Sequence, residues 1–239
     1  LGVAWVSRAR NIPATIVVPE SAPLNKRERI AELANLIVAP YPGYNEAERY
    51  AKALARSQDA LFVSSYDDPK VAAGNGATLA REILEDLPRC DCIIVPVGGG
   101  GLCAGVARYL ELAGQQRVAV VGVQSEATSA MAQSFASGRA VLSLPPQPTL
   151  AEGLEGGVSP RTFEVARRLL AELVTVSETS IGRAMALAFK TMGEVVEGSA
   201  AVVLAALLEH KIPSHYQQPC VLLSGRNVDA RVLDAQLVA

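Results

Sequence analysis

Six short apolar runs, separated by segments with helical periodicity, most constrain how this chain folds. The runs are rich in Val, Ile and Leu without polar alternation, which is typical of strands buried on both faces. Strands that alternate with helices indicate a parallel sheet with right-handed crossovers. We therefore expect an α/β fold with parallel-rich sheets and flanking helices. The expected strands are residues 14–18, 36–39, 93–97, 118–123, 173–176 and 220–223, and the expected helices are residues 44–56, 77–87, 102–112, 162–170, 181–191 and 199–209.

The composition excludes several classes of protein. The chain has 239 residues, of which 50% are hydrophobic and 19% charged, with a net charge of −2. This charge gives no electrostatic reason to expect a nucleic-acid partner. No apolar run reaches the roughly 18 residues of a membrane span, and the first residues do not resemble a signal peptide. The four cysteines lack zinc-site spacing, so we expect reduced thiols in a cytoplasmic protein. His210 and His215 are the only histidines, which disfavours a histidine-based triad or metal site.

The stretch VPVGGGGLCAGVA, residues 95–107, contains four successive glycines between an expected strand and an expected helix. Backbone N–H groups are unpaired at a helix start and the helix dipole is positive there, so an anion fits. No Lys-Ser/Thr follows, which excludes a P-loop, and the glycines are not in the usual position of the dinucleotide-binding fingerprint, near the start of a domain. The alternative is a tight turn with close packing. Because one or two glycines would suffice for a turn, we favour a phosphate cradle formed by Gly98, Gly99, Gly100 and Gly101.

Two further segments, rich in turn-forming residues, indicate a long loop and a domain boundary. Residues 142–160 keep apolar positions, which favours a long ordered loop over a linker. The Asp-Asp-Pro of residues 67–69 is a turn signal. We expect a domain boundary there, with residues 1–64 in one domain and 65–239 in the other.

The glycine stretch resembles the phosphate loop of fold type II pyridoxal-phosphate (PLP) enzymes, the scaffold of the tryptophan synthase β chain. Within that class it is most similar to the threonine/serine dehydratase family, which includes serine racemase. NIPATIVVPESAP, DDPKVAAGNGATLAREILEDLP, TLAEGL, VVEGSAA and LLSGRNVD resemble further family motifs in the same order. The resemblance implies that residues 1–64 are part of a small domain and residues 65–239 most of a large PLP-binding domain.

The resemblance implies a role for particular residues. The four glycines match the phosphate cup. Ser224, in LSGRN, matches the residue that hydrogen-bonds the pyridine nitrogen, and a hydroxyl does not keep that nitrogen protonated as a carboxylate would. Glu197, in VVEGSAA, matches a carboxylate near the ring; otherwise it is an acid at a helix N-terminus. Gly153, in AEGL, matches a glycine where a loop passes the cofactor.

The sequence departs from the family pattern at the divalent-cation site. The family has a Glu and an Asp just after the strand that VAVVGV matches, whereas this chain has Gln124 and Ala130 there. Hard cations prefer charged oxygen ligands. We therefore expect no metal at this site, and we interpret Glu126 as a solvated loop acid.

A second departure concerns the lysine that forms the Schiff base with PLP. The family carries it in a Ser-x-Lys motif upstream of the segments matched here, and the Ser-Gly-Asn loop for the substrate carboxylate is likewise unmatched. We therefore expect a chain truncated at the N-terminus, without an assigned catalytic lysine. No lysine of this chain occupies the family position; the lysines are Lys26, Lys52, Lys70, Lys190 and Lys211.

The resemblance implies a PLP-dependent threonine/serine ammonia-lyase that releases a 2-oxo acid and ammonia, and a homo-oligomer. Because the lysine is unmatched, the activity of this chain alone is doubtful, and an inactive fragment of such an enzyme is one interpretation. Two alternatives stay open: an amino-acid racemase on the same scaffold, and a non-catalytic protein that binds PLP or phosphate.

Overall fold

The computed structural model describes residues 1–238 and contains two compact units, one over Leu1–Val63 and one that starts at Ser64. The strands are β1 Thr15–Val18, β2 Asn35–Val38, β3 Cys92–Pro96, β4 Ala119–Ser125, β5 Glu172–Val176 and β6 Pro219–Val221. The α-helices are α1 Gly2–Arg10, α2 Leu24–Ala31, α3 Tyr44–Ser57, α4 Pro69–Ala72, α5 Thr78–Asp86, α6 Gly101–Leu112, α7 Ala130–Ser137, α8 Pro160–Leu169, α9 Glu178–Leu187, α10 Gly198–Leu208 and α11 Ala230–Leu237. Two π-helical segments, Ala73–Ala77 and Ala188–Met192, and two 3₁₀ turns, Glu126–Thr128 and Glu152–Leu154, complete the elements.

The first unit holds a two-stranded parallel sheet, in which Thr15 pairs with Asn35 and Val18 with Val38. The expectation that all strands are buried on both faces is wrong here, because no residue of β1 or β2 is buried. The helix beside β2 contributes to this: α2 reads LNKRERIA and buries only Ile30. A helix this polar cannot cover an apolar sheet face.

The second unit is built on a four-stranded sheet in the order β5-β4-β3-β6, with every pair parallel. Every residue of β3 is buried, which confirms the predicted double-sided burial for the centre of this sheet. Cys92 and Ile94 pack into a cluster with α9 and α10, while Ile93 and Val95 pack on the opposite face with α5, α6 and α8. Full burial of each such aliphatic side chain stabilises the fold by roughly 1.5–3 kcal/mol.

Five helices are not predicted by the sequence pattern: α1, α2, α4, α7 and α11. Each has nine residues or fewer. The apolar stripe of an amphipathic helix recurs every three to four residues, so a segment this short shows it only two or three times. The start of α4 coincides with the Asp-Asp-Pro turn signal, where Asp68 Oδ1 accepts hydrogen bonds from the N–H groups of Lys70 and Val71.

Three further properties concern the described residues. No helix within residues 1–238 is both long and apolar enough to cross a bilayer. In the same part of the chain, no three His, Cys, Asp or Glu side chains are grouped as metal ligands. The four cysteines are free thiols, and burial raises the pKa of Cys92 and of Cys103 to about 12.

A carboxylate at the end of α10 caps the start of α9. Glu209 Oε1 accepts hydrogen bonds from the N–H of Ser177 at 3.0 Å and from its hydroxyl at 2.8 Å. Lys211 Nζ lies 2.6 Å from Glu209 Oε2. Burial by itself raises the pKa of Glu209, but the hydrogen bonds from Lys211 and Ser177 outweigh it and lower the pKa to about 2.

We expect Glu209→Gln to reduce the free energy of unfolding by roughly 1–2 kcal/mol at pH 7, because a charge-assisted cap is lost. A depressed carboxylate pKa stabilises the fold above its unfolded value, and this stabilisation is lost as the pH falls. The difference between variant and wild type should therefore shrink between about pH 4.5 and pH 2. Urea unfolding at pH 7 and near pH 3 measures it.

The matched control is Glu194→Gln, at an exposed carboxylate, which should change stability by less than about 0.5 kcal/mol. An equal loss for Glu209→Gln at both pH values would contradict the assignment of the cap.

Candidate functional site

The predicted site residues follow strands whose carboxyl ends meet at one edge of the four-stranded sheet. β3 ends at Pro96, just before the glycines, and β6 ends at Val221, just before Ser224. The Val97 N–H donates to Val123 O at 2.8 Å, and the Leu222 N–H donates to Ile94 O at 3.1 Å. Backbone pairing therefore continues past both strand ends, and it holds the start of the glycine loop beside β4 and the loop after β6 beside β3.

The glycine loop opens helix α6. Gly100 is the N-cap residue with φ of 94°, a left-handed conformation that glycine adopts without steric cost. No side chain caps this helix start, and the Ala104 N–H, which donates to Gly100 O at 2.9 Å, makes its first internal bond. The N–H groups before Ala104 are thus available to an acceptor such as a phosphate oxygen.

The glycines also pack closely against neighbouring segments. A Cβ on Gly99 would lie 2.5 Å from the Tyr66 ring, one on Gly101 would lie 2.8 Å from Tyr66 Cα, and one on Gly98 would lie 3.0 Å from Leu154 Cα. The expectation that a tight turn needs only one or two glycines is therefore wrong. Packing or a positive φ accounts for glycine at each of the four positions, so the number of glycines is not by itself a signal for phosphate.

A hydroxyl on helix α8 donates a hydrogen bond to the glycine loop. Thr162 Oγ1 donates to Gly99 O at 2.6 Å. Because a trans peptide places its C=O and N–H on opposite sides, this bond directs the Gly100 N–H away from Thr162. Ser159, the N-cap of α8, donates to Asp67 Oδ1 at 2.8 Å and so links this helix to the segment that carries Tyr66.

Close backbone contact also sets the position of α6. A Cβ on Gly105 would lie 2.1 Å from Ala72 O, and one on Gly76 would lie 2.5 Å from Leu102 O. Gly76 belongs to the π-helical segment after α4. Glycine on both sides lets this segment lie directly against the first turns of α6, and such π segments are frequent near functional sites.

Glu197 lies beside the loop that follows β6. Its N–H donates to Gly225 O at 3.1 Å. A Cβ on Gly225 would lie 2.1 Å from Glu197 Oε1, so a larger residue there would displace this carboxylate. Ser224, the preceding residue, is exposed, and within residues 1–238 its hydroxyl has no hydrogen-bond partner. The hydroxyl is therefore free to bind a ligand at the strand end.

Gly153 joins the glycine loop to the start of α10. Its N–H donates to Ser199 Oγ at 2.8 Å, and the next residue, Leu154, is the one that Gly98 contacts. The structure thus brings together the four glycines, Gly153, Glu197 and Ser224, although their roles stay a prediction. Burial and the nearby Glu152 carboxylate raise the pKa of Glu155 in the same turn.

The lysines of the second unit make other contacts. Lys190 Nζ donates to Leu237 O at 3.0 Å, and Lys211 Nζ donates to Thr175 O at 2.6 Å. Lys70 lies exposed in α4. Among the contacts of the described residues, none joins these ammonium groups to the predicted cofactor residues.

Sequence reasoning missed three residues that shape the site: Tyr66, Thr162 and Ser199. The Ser-Pro-Arg-Thr of residues 159–162 is recognisable as a helix start. The bond from Thr162 to Gly99 joins residues 63 apart in the chain, and no local pattern reports such a contact.

Comparison with known proteins identifies the family of this chain. The profile of the family described as "Pyridoxal-phosphate dependent enzyme" matches residues 1–225. The L-threonine ammonia-lyase of Thermotoga maritima is 36% identical over 234 residues, which are 98% of this chain and 57% of that protein. A catabolic L-threonine dehydratase of Staphylococcus aureus is 36% identical over 232 residues, 95% of this chain and 66% of that protein. The chain therefore spans less than two thirds of the length of these curated relatives.

Solved structures show the same similarity. Maize serine racemase superposes with a TM-score of 0.87 at 30% identity, covering 99% of this chain and 72% of that one. A threonine deaminase from T.th. superposes with a TM-score of 0.84 at 32% identity, covering 95% of this chain and 74% of that one. The parallel sheets and the matched profile agree with the predicted fold type II scaffold, and the chain belongs to the family of pyridoxal-phosphate dependent enzymes.

Proposed function

We propose that this chain forms the phosphate- and ring-binding part of a PLP-dependent threonine/serine ammonia-lyase. The uncapped start of α6 is the observation that carries the proposal, together with Ser224 after β6, the strand that pairs with β3. The residues present fit PLP: N–H groups at a helix start suit a phosphate, and a free hydroxyl suits a ring nitrogen. No side chain extends from Gly98–Gly101 to obstruct the approach.

Ser224 would set the electronic state of the ring. A serine hydroxyl can share a hydrogen bond with the pyridine nitrogen, but it does not hold a proton there as a carboxylate would. Glu197, positioned beside Gly225, would lie near the ring without replacing Ser224 at the nitrogen. Gly153, exposed and without a side chain, would let the 152–154 turn approach the cofactor.

The proposed reaction removes water and ammonia from L-threonine or L-serine and leaves a 2-oxo acid. When bound, PLP supplies an electron-withdrawing system that acidifies the Cα–H of an amino acid. The names of the relatives support the substrate class. An uncharged partner for the ring nitrogen moderates electron withdrawal, which suits elimination better than transamination. A homo-oligomer remains a prediction from the resemblance.

A racemase on the same scaffold is the second candidate, because maize serine racemase is nearly as similar to this chain as the threonine enzymes are. A protein that binds PLP without turnover is the third. The lysine contacts support this last candidate for the chain by itself, since Lys190 and Lys211 donate to backbone carbonyls.

We expect Thr162→Val to weaken PLP binding about five-fold, because loss of the bond to Gly99 O, worth roughly 1 kcal/mol, frees the Gly99–Gly100 peptide to rotate. Binding of pyridoxal, which lacks the phosphate, should not change. Titration of each ligand by fluorescence measures the ratio of the two affinities.

Thr162→Ser keeps the hydroxyl and should bind PLP like wild type. Thr191→Val is the matched control, because Thr191 Oγ1 donates to Leu187 O on an exposed helix end. Equal weakening for PLP and pyridoxal in Thr162→Val would mean that Thr162 supports the fold and not the phosphate loop.

We expect Ser224→Ala to weaken PLP binding by up to about five-fold, through loss of one neutral hydrogen bond. Ser224→Asp should instead favour a protonated ring nitrogen and shift the absorbance of bound PLP. Ser214→Ala, at an exposed serine, is the control. If affinity and spectrum are unchanged in both Ser224 variants, Ser224 is a turn residue and nothing more.

We expect dialysis to remove PLP from this chain, and borohydride to fix it to no single peptide, because no lysine occupies the family position and Lys190 and Lys211 donate to backbone carbonyls. Release of 2-oxobutyrate from L-threonine should be far below that of the Thermotoga maritima relative. Added ethylamine, which supplies an amine in solution, should raise the release of 2-oxobutyrate above that of PLP and ethylamine without the chain.

Product analysis separates the candidates. A 2-oxo acid supports the lyase, D-serine from L-serine supports the racemase, and neither product supports a binding protein. A stoichiometric reduced adduct on one lysine with full turnover would overturn the lysine assignment, and would show that this chain carries its own catalytic amine.

A further inference from the structure

Gln124 is a fully buried amide at the end of β4, with 0% of its surface exposed. Its Nε2 donates to Val97 O at 3.1 Å and to Thr128 O at 3.0 Å. Its Oε1 accepts from the Ala132 N–H at 2.9 Å. Two carbonyl acceptors on one side and an N–H donor on the other permit only this orientation of the amide. Both amide hydrogens and the oxygen are therefore used.

These three bonds join separate segments next to the glycine loop. Val97 immediately precedes Gly98, Thr128 ends the 3₁₀ turn after β4, and Ala132 lies in the first turn of α7. Helix α7 also supports the loop directly, since a Cβ on Gly100 would lie 2.7 Å from Met131 Cε. Gln124 thus links Val97, at the start of the glycine loop, to α7, the helix that packs against Gly100.

The residues at this place do not fit the divalent cation that the family resemblance implies. A cation would need oxygen ligands where the amide hydrogens of Gln124 lie. Ala130, at the position of the family's Asp, has 0% exposure and packs in the apolar core. Two carbonyl oxygens that point at the same position repel each other unless a cation or an N–H group lies between them. Here the N–H groups of Gln124 Nε2 lie between them.

We propose that the Gln124 amide takes the place of a bound cation, and holds the carbonyl oxygens of Val97 and Thr128 together through neutral hydrogen bonds. The glycine loop of this chain is then positioned without metal. Replacing the Nε2 group by a carboxylate oxygen would leave only oxygen atoms at this centre. That arrangement is unstable alone and is the chemistry that Mg²⁺ or Ca²⁺ prefers.

The test is the melting temperature of wild type and Gln124→Glu, each in EDTA and in millimolar Mg²⁺ or Ca²⁺ at pH 8. Wild type should melt at the same temperature in every condition. Gln124→Glu should melt about 10 °C lower in EDTA, as expected for an unpaired buried charge in a chain of this size. Either cation should restore at least half of that loss.

Two variants are the controls. Gln133→Glu makes the same substitution on the exposed side of α7, and should neither destabilise the chain nor make it respond to cations. Gln124→Met removes the amide without adding charge, and should lower the melting temperature with no recovery on addition of a cation.

Three results would overturn the proposal. The first is that a cation stabilises wild type but not Gln124→Met, the second is that Gln124→Glu is as stable as wild type in EDTA, and the third is that Gln124→Glu is destabilised but unaffected by cations. If Gln124→Glu does not fold in either condition, Gln124→Met decides. A Gln124→Met variant as stable as wild type would then show that the amide does not hold the loop.

Discussion

The parallel pairing of β3 with both β4 and β6 is the constraint on which the rest of the second unit depends. Because all four strands run in the same direction, their carboxyl ends meet at one edge, and ligands of open α/β sheets bind there. β3 is buried along its whole length, so the glycine loop starts from a rigid, doubly covered strand. The hydrogen bond from Leu222 to Ile94 holds the loop after β6 beside β3.

The glycine loop meets two demands with the same residues. Toward the protein interior it must pass within contact distance of Tyr66 and Leu154, which excludes a Cβ. Toward the sheet edge it leaves N–H groups at the α6 start without a side-chain cap. Glycine permits both, although it loses more conformational freedom on folding than any other residue.

Buried polar side chains give the loop its rigidity. Thr162 bonds to the carbonyl of Gly99 from one side, and Gln124 bonds to the carbonyl of Val97 from another. An unmet buried donor or acceptor costs about 1–3 kcal/mol, so each bond disfavours other conformations of the loop. A site whose supporting groups are locked by packing and hydrogen bonds is already arranged for its ligand before binding.

The sequence by itself determined the order of strands and longer helices, the parallel sheet and the family, because these follow from periodicity and from ordered motifs. Short helices such as α7 were not predicted from the sequence, since eight residues carry little periodic signal. Only the tertiary structure decided that β1 and β2 are not buried, because burial depends on what packs against a strand. It also decided the partners of Thr162, Ser199 and Gln124. Those hydrogen bonds join segments up to 63 residues apart, and such distant groups meet only when the sheet and helices have packed.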